Sequence, residues 1–235
     1  MVAAAIVIPL SFGAISLTES PGPAVTDGSQ PPSTQASAAT ATTASTTTTT
    51  VVIQDEEYAW YSDDRYGFTL KFPASWRNTD PSEVGQRLYR QIVETYAETF
   101  VPVAFADWDS PTFNGCYLDY VWVEVYDETF MEVPTLPELR NHIHGRLDDL
   151  EARYAGVRSI EPLRDVVTAG MPGSEHVWSI PYGGRVLVLK ECVFATEGRA
   201  YFIQFAAVEE DWEECQPVFE EMLRDFTVRG PEPIS

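Results

Sequence analysis

The sequence predicts an α+β fold, an antiparallel β-sheet with helices packed on its faces, and three observations predict it. Runs such as GFTLKF at 67–72 alternate apolar and polar residues with the two-residue period of half-buried strands. The strand-like runs after residue 165 are separated by AGMPG, YGGR and TEGR, whose glycines suit hairpin turns. Three stretches of helical periodicity stand apart among those runs, the order of an α+β domain.

The apolar fraction of 44%, with 12% aromatic residues, is enough for one packed core. A net charge of -21 excludes nucleic-acid binding through a basic face, which needs clustered Lys and Arg. Lys71 and Lys190 supply the only ammonium side chains; every other fixed cation is an arginine. Such acidity reads first as a soluble, self-repelling surface, and second as a surface for Ca²⁺ or a cationic partner.

Residues 2–17, VAAAIVIPLSFGAISL, form an uncharged apolar run whose length falls between a signal-peptide core and the roughly 20 residues of a membrane span. Residues 1–17 are therefore expected to be a signal peptide or an uncleaved membrane anchor. No basic residues precede the run, and neither a clean A-x-A site nor a lipid-accepting Cys follows it, so both readings stay open. Residues 18–57 read as a disordered linker rich in Thr, Ser, Ala and Pro, too poor in apolar residues to offset its ordering entropy. As a coil, the tract 18–53 would span about 30–35 Å. The folded domain is assigned to 58–229 and a short tail to 230–235.

Within that domain, YAWY at 58–61 and GFTLKF at 67–72 flank the turn cluster SDDRY as a hairpin, with Phe68, Leu70 and Phe72 on one face. Pro73 ends the second arm, and Trp76 is expected to fold back onto the sheet as a core residue. Residues 81–100 form a helical candidate carrying Val84, Leu88, Ile92 and Tyr96 at intervals of four. Strands at 101–106 and 116–126 follow, joined by the loop DWDSPTFNG. A second helix starts at an N-cap, Thr135, with Pro137 and Glu138 in its first turn and a stripe of Leu139, Ile143, Leu147 and Leu150. A meander of strands at 166–168, 176–181, 186–195 and 200–208 comes next, then an amphipathic helix at 211–225 that Pro217 is expected to kink or divide. FTV at 226–228 is expected to be a closing strand or an edge segment.

Four stretches in this order, YGFTLKFPASW, AGMPGSEHVWSI, EGRAYFIQFAA and FEEMLRDFTV, resemble the PsbP-like, or Mog-type, superfamily, especially its exported bacterial LpqN-like lipoprotein members. The resemblance implies a PsbP-like α/β/α sandwich across most of 58–228. It implies little about activity: the plant namesake is an extrinsic lumenal subunit of photosystem II, the Mog branch binds the Ran GTPase, and no contact motif of either role matches positions here. Members of the superfamily are mostly non-catalytic.

Residue chemistry agrees with that expectation. His142 and His144, two apart on a helix, point away from each other, and His144 with Asp148 lacks a third ligand. His176 reads as a satisfied sheet histidine. Ser174 lacks the G-x-S-x-G spacing of a nucleophile elbow. Asp63 with Asp64, and Asp107 with Asp109, lack the ligand series of a Ca²⁺ loop and read as solvated surface. No catalytic, metal or cofactor residues are assigned. Among Cys116, Cys192 and Cys215, a bridge between Cys192 and Cys215 is favoured, with three reduced thiols as the alternative.

The expected function is an exported, membrane-tethered or secreted accessory domain of the cell envelope. It binds a protein partner, has no catalysis of its own, and reaches the membrane through its N-terminal segment. The alternative is an extracytoplasmic carrier of a hydrophobic ligand, with a pocket lined by Trp108, Tyr117 and Trp122; an enzyme of unknown class is third.

Overall fold

Among the described residues, strands form a seven-stranded and a four-stranded sheet, with one further two-stranded hairpin, where the sequence suggested one sheet. The computed structural model describes residues 53–54, 57–85, 100–128, 132–168, 170–196 and 198–229. The leader, nearly all of the linker and the 230–235 tail lie outside them. The chain begins with β1 (Ile53–Gln54), β2 (Tyr58–Asp63), β3 (Phe68–Pro73) and β4 (Arg77–Thr79). Then come β5 (Phe100–Ala106), β6 (Thr112–Phe113), β7 (Cys116–Tyr117), β8 (Tyr120–Asp127) and helix α1 (Leu136–Arg153). The remainder is β9 (Arg158–Thr168), β10 (Met171–Tyr182), β11 (Arg185–Thr196), β12 (Arg199–Val208), helix α2 (Trp212–Asp225) and β13 (Thr227–Val228). Of the helix expected at 81–100, a 3-10 turn at Pro81–Glu83 is described, and 86–99 lie outside the described residues. Among the described residues no helix is long and apolar enough to cross a membrane.

The large sheet has seven strands in the order β4-β5-β8-β12-β11-β10-β9, and a second sheet of four runs β1-β2-β3-β13. Strand alternation splits the core between the two faces of the large sheet. Val121, Val123, Tyr201, Ile203 and Phe205 point to one side, where the four-stranded sheet and α2 cover them. Tyr120, Trp122, Phe202, Ala206 and Leu189 point to the other, under α1. A helix therefore packs on each side, the layering that the sequence predicted.

The opening hairpin holds its turn through Asp63, whose carboxylate accepts the Tyr66 N–H and the Tyr61 hydroxyl, each at 2.9 Å. Phe68, Leu70 and Phe72 are buried as expected, but the hairpin belongs to the second sheet, where β13 pairs Thr227 with Thr69. Trp76 is buried and meets Phe219 of α2 edge-on at 6.2 Å. The loop after β5 contains its own hairpin: Phe113 pairs with Cys116 across Asn114 and Gly115, at φ 52° and 74°. Asn-Gly suits two left-handed turn positions, a turn cue inside the DWDSPTFNG stretch expected to be a loop.

Three further boundaries differ from expectation. β9 begins at Arg158 rather than 166, because 158–165 is an exposed edge without an apolar stripe. Pro162 and two register shifts against β10 disrupt that edge. β10 likewise begins at Met171, ahead of the expected 176. Pro217 lies inside α2, which continues unbroken to Asp225 and buries Phe219, Met222 and Leu223.

Candidate functional site

Beneath α1 the sheet carries a row of polar residues. The helix begins where the Glu138 carboxylate accepts the Thr135 N–H at 2.7 Å and its hydroxyl at 2.8 Å. Its predicted stripe, Leu139, Ile143, Leu147 and Leu150, is buried, and the same face buries Arg146. Strand register places His176 opposite Glu191, Glu191 opposite Gln204 and Gln204 opposite Trp122, so one row crosses β10, β11, β12 and β8. Arg146 pairs with Glu191, which is fully buried. The other Glu191 oxygen accepts Gln204 Nε2 at 2.8 Å, and Gln204 Oε1 accepts the Tyr120 hydroxyl at 2.8 Å. The Arg146 guanidinium also lies 5.7 Å from the Phe202 ring centre.

Two strand positions beyond Trp122, buried Glu124 accepts the Tyr126 hydroxyl at 2.6 Å. Burial, and secondarily the charge of Glu191, push its carboxyl up to about 7. Glu124, Tyr126, His142, Arg146 and Phe202 help to line a pocket of about 10 Å³, room for a single water. His176 Nε2 lies 3.1 Å from Ser159 Oγ, while its buried Nδ1 and the indole nitrogen of Trp178 find no hydrogen-bond partner among the described residues. Burial lowers the His176 imidazole below its ordinary value, which favours the neutral ring. The sequence reading of a satisfied histidine thus holds for one ring nitrogen.

A second cluster lies on the surface. Trp108 is 45% exposed, whereas Trp76, Trp122 and Trp178 are buried. Tyr117 stacks on Trp108 at 6.1 Å with the rings 6° from parallel, and the Arg77 guanidinium lies 4.5 Å from the Trp108 centre. The loop is tied down through Asp119: its carbonyl accepts Asp107 N at 3.0 Å, and its buried carboxylate accepts Val208 N at 3.0 Å. Of the three residues assigned to a ligand pocket, Trp108 and Tyr117 therefore come together, but Trp122 does not join them. At 2% exposure it belongs to the core under α1, because even-numbered β8 residues face that way.

The remaining assignments resolve on geometry. Ser174 is fully buried, with its hydroxyl 3.4 Å from Asp165. His144 Nδ1 lies 3.3 Å from Asp148 on the exposed side of α1. Asp63 serves the hairpin turn and Asp64 pairs with Arg229 at 2.9 Å, so the two do different work. Among the described residues no group of three or more His, Cys, Asp or Glu is placed to hold a metal.

Cys192 and Cys215, the expected bridge, are not joined to each other in this structure. Cys192 pairs in register with Ile203, and its charged surroundings are Lys190, Glu175, Glu220 and Glu191. Cys215 lies instead among Asp119, Asp211 and Asp107, near the end of β12 where Asp119 binds Val208. Ile203 and Val208 are separated by roughly 17 Å of strand at about 3.3 Å per residue, which explains why facing the same core did not bring the two sulfurs together. Burial pushes the Cys215 thiol up to about 12 and the Cys192 thiol higher still.

No family profile matches this chain, and no curated protein matches it. Solved structures do. The solution structure of cyanobacterial PsbP (CyanoP) from Synechocystis aligns with a TM-score of 0.51 at 16% identity, covering 75% of this chain and 95% of that one. The crystal structure of LpqN, involved in cell envelope biogenesis of Mycobacterium tuberculosis, aligns at 0.44 and 10% identity, covering 77% and 91%. The fold is PsbP-like.

Proposed function

We propose that this chain is an extracytoplasmic accessory domain of the cell envelope, directed to the membrane by its N-terminal segment, and that it works by binding a protein partner rather than by catalysis. The observation that carries this reading is Trp108, a large aromatic side chain at 45% exposure on a loop fastened by two hydrogen bonds. Rigidly held aromatic anchors contribute heavily to protein interfaces. The uncharged leader and hydroxyl-rich tract argue for export, and a PsbP-like body suits an accessory role. The carrier reading gains nothing from the pocket under α1, since about 10 Å³ is far below the roughly 300 Å³ of a small-molecule site.

The test places a photo-crosslinking amino acid at Ser110 of the full-length chain in cells and combines irradiation with fractionation. The expected result is an envelope or secreted protein that forms one discrete adduct, lost when Trp108→Ala is added. A cytosolic chain, or adducts indifferent to Trp108, would overturn the proposal.

A further inference from the structure

We infer that the Trp108 platform is a docking surface for a cationic, arginine-bearing segment of a protein partner. This rests on the partner-binding reading and adds the chemistry of the partner.

The platform already holds a guanidinium. Arg77 Cζ lies 4.5 Å from the Trp108 ring centre, and Tyr117 stacks on the same tryptophan. Arginine is the cation that best combines stacking with charge on an indole. Arg77 is exposed on a three-residue edge strand, so its side chain can be exchanged without disturbing the core.

The surrounding field favours the same class of ligand. Asp107 and Asp109 flank Trp108 in sequence, and the Asp109 N–H donates to Asp107 Oδ1 at 2.9 Å. Asp211 and Glu214 stand close enough to act electrostatically on Cys215 together with Asp107. Among the described residues none of these four carboxylates is in a salt bridge, in contrast to Glu209, paired with Arg158, and Glu210, paired with Arg185. An exposed aromatic thus sits beside carboxylates that no salt bridge among the described residues neutralises.

The net charge of -21 also separates the occupants. Nucleic acid, an anionic bilayer and a second copy of this chain are all repelled. A cationic polypeptide is attracted at long range and then offered an indole at short range. A neutral chain receives only the second contribution.

The test is isothermal titration calorimetry of the intact chain with three synthetic ten-residue peptides: alternating Arg and Gly, alternating Lys and Gly, and alternating Ser and Gly. The arginine peptide should bind, the lysine peptide more weakly and the serine peptide not measurably. Trp108→Ala should weaken arginine-peptide binding by about three- to tenfold, and Asp107→Asn with Asp109→Asn should flatten its salt dependence. The discriminating variant is Arg77→Ala. If an incoming guanidinium competes with Arg77 for the ring, its removal tightens binding by about threefold, whereas a merely supporting Arg77 would give the opposite sign. Equal binding of the arginine and lysine peptides unaffected by Trp108→Ala would reduce the effect to unspecific attraction and overturn the inference, as would binding of the serine peptide. A crosslinked partner at Ser110 that excess arginine peptide fails to displace would overturn this inference while leaving the partner-binding reading intact.

Discussion

Removing one member of the Arg146–Glu191 pair should cost far more than removing both. Arg146 and Glu191 side chains are 7% and 0% exposed, and the Glu191 carboxylate is further bound by Gln204 at 2.8 Å. Arg146→Met leaves that carboxylate buried with its counter-charge gone, a change that costs about 3–5 kcal/mol. Against a total stability of about 5–15 kcal/mol, and at about 2–4 °C per kcal/mol for a domain of this size, the midpoint should fall by roughly 10 °C. Glu191→Met alone should cost about as much, because it strands the guanidinium. Arg146→Met with Glu191→Met removes both charges, keeps volume under α1, and should recover most of the loss. The assay is urea denaturation of the two single variants, the double variant and the parent at constant m-value, closed as a double-mutant cycle. Single variants within about 1 kcal/mol of the parent, or a double variant as unstable as the sum of the singles, would refute the buried pair.

Three further outcomes follow from the same geometry. The Glu124 carboxyl is raised to about 7 in the folded chain, so the folded state holds its proton longer than the unfolded state. That contribution is intact below the ordinary glutamate range and is lost as pH climbs through 7; Glu124→Gln should flatten the decline and be the more stable protein at pH 8 by roughly 3 kcal/mol, read by denaturation at pH 4, 6 and 8. Thr135→Ala removes the hydroxyl that donates to Glu138 and should cost about 1 kcal/mol, measured by thermal unfolding. Iodoacetamide without reductant should label three thiols in the unfolded chain, with buried Cys116 and Cys192 protected in the native one; a chain that yields one labelled cysteine would restore the bridge.

What was legible in the sequence was whatever repeats locally. The period of two in GFTLKF marked β3, and the Thr135 cap with its four-residue stripe marked α1, because each signal lies within one element. The second sheet was not legible, since pairing of Thr227 with Thr69 joins residues far apart by edges that have no local pattern. The polar row has a local sign: WVEVY, VLKECVF and FIQF each interrupt a buried strand with a charged or amide residue, and Glu124, Glu191 and Gln204 belong to the row, whereas Lys190 faces the other side of the sheet and pairs with Glu175 and Glu220. A charge in the middle of an apolar run must find a partner or remain neutral, so each predicted a buried contact. Trp108, Tyr117 and Trp122 were assigned to one ligand pocket, and side-chain alternation along β8 keeps Trp122 apart from the other two.

The polar row and the surface platform meet in the register of β8 against β12. Slipping β8 by one residue against β12 would turn Glu124 into the apolar core beside Tyr201 and Ile203, so the row resists slippage even if its net stabilisation is small. The same register brings Asp119 to the Val208 N–H and thereby seats the Trp108 loop. Burial raises Asp119 to about 6, so at pH 8 its charge is a cost while its oxygen still accepts the hydrogen bond. The two effects separate by substitution. Asp119→Asn keeps an acceptor and discards the charge, so it should match or exceed the parent in stability at pH 8 and retain the arginine-peptide affinity. Asp119→Ala leaves the Val208 N–H without its acceptor, which should cost about 1–3 kcal/mol and loosen the platform, lowering peptide affinity with Trp108 itself intact. Equal behaviour of the Asn and Ala variants would mean that the loop is seated by something other than this carboxylate, and the path from strand register to binding surface would be broken at Asp119.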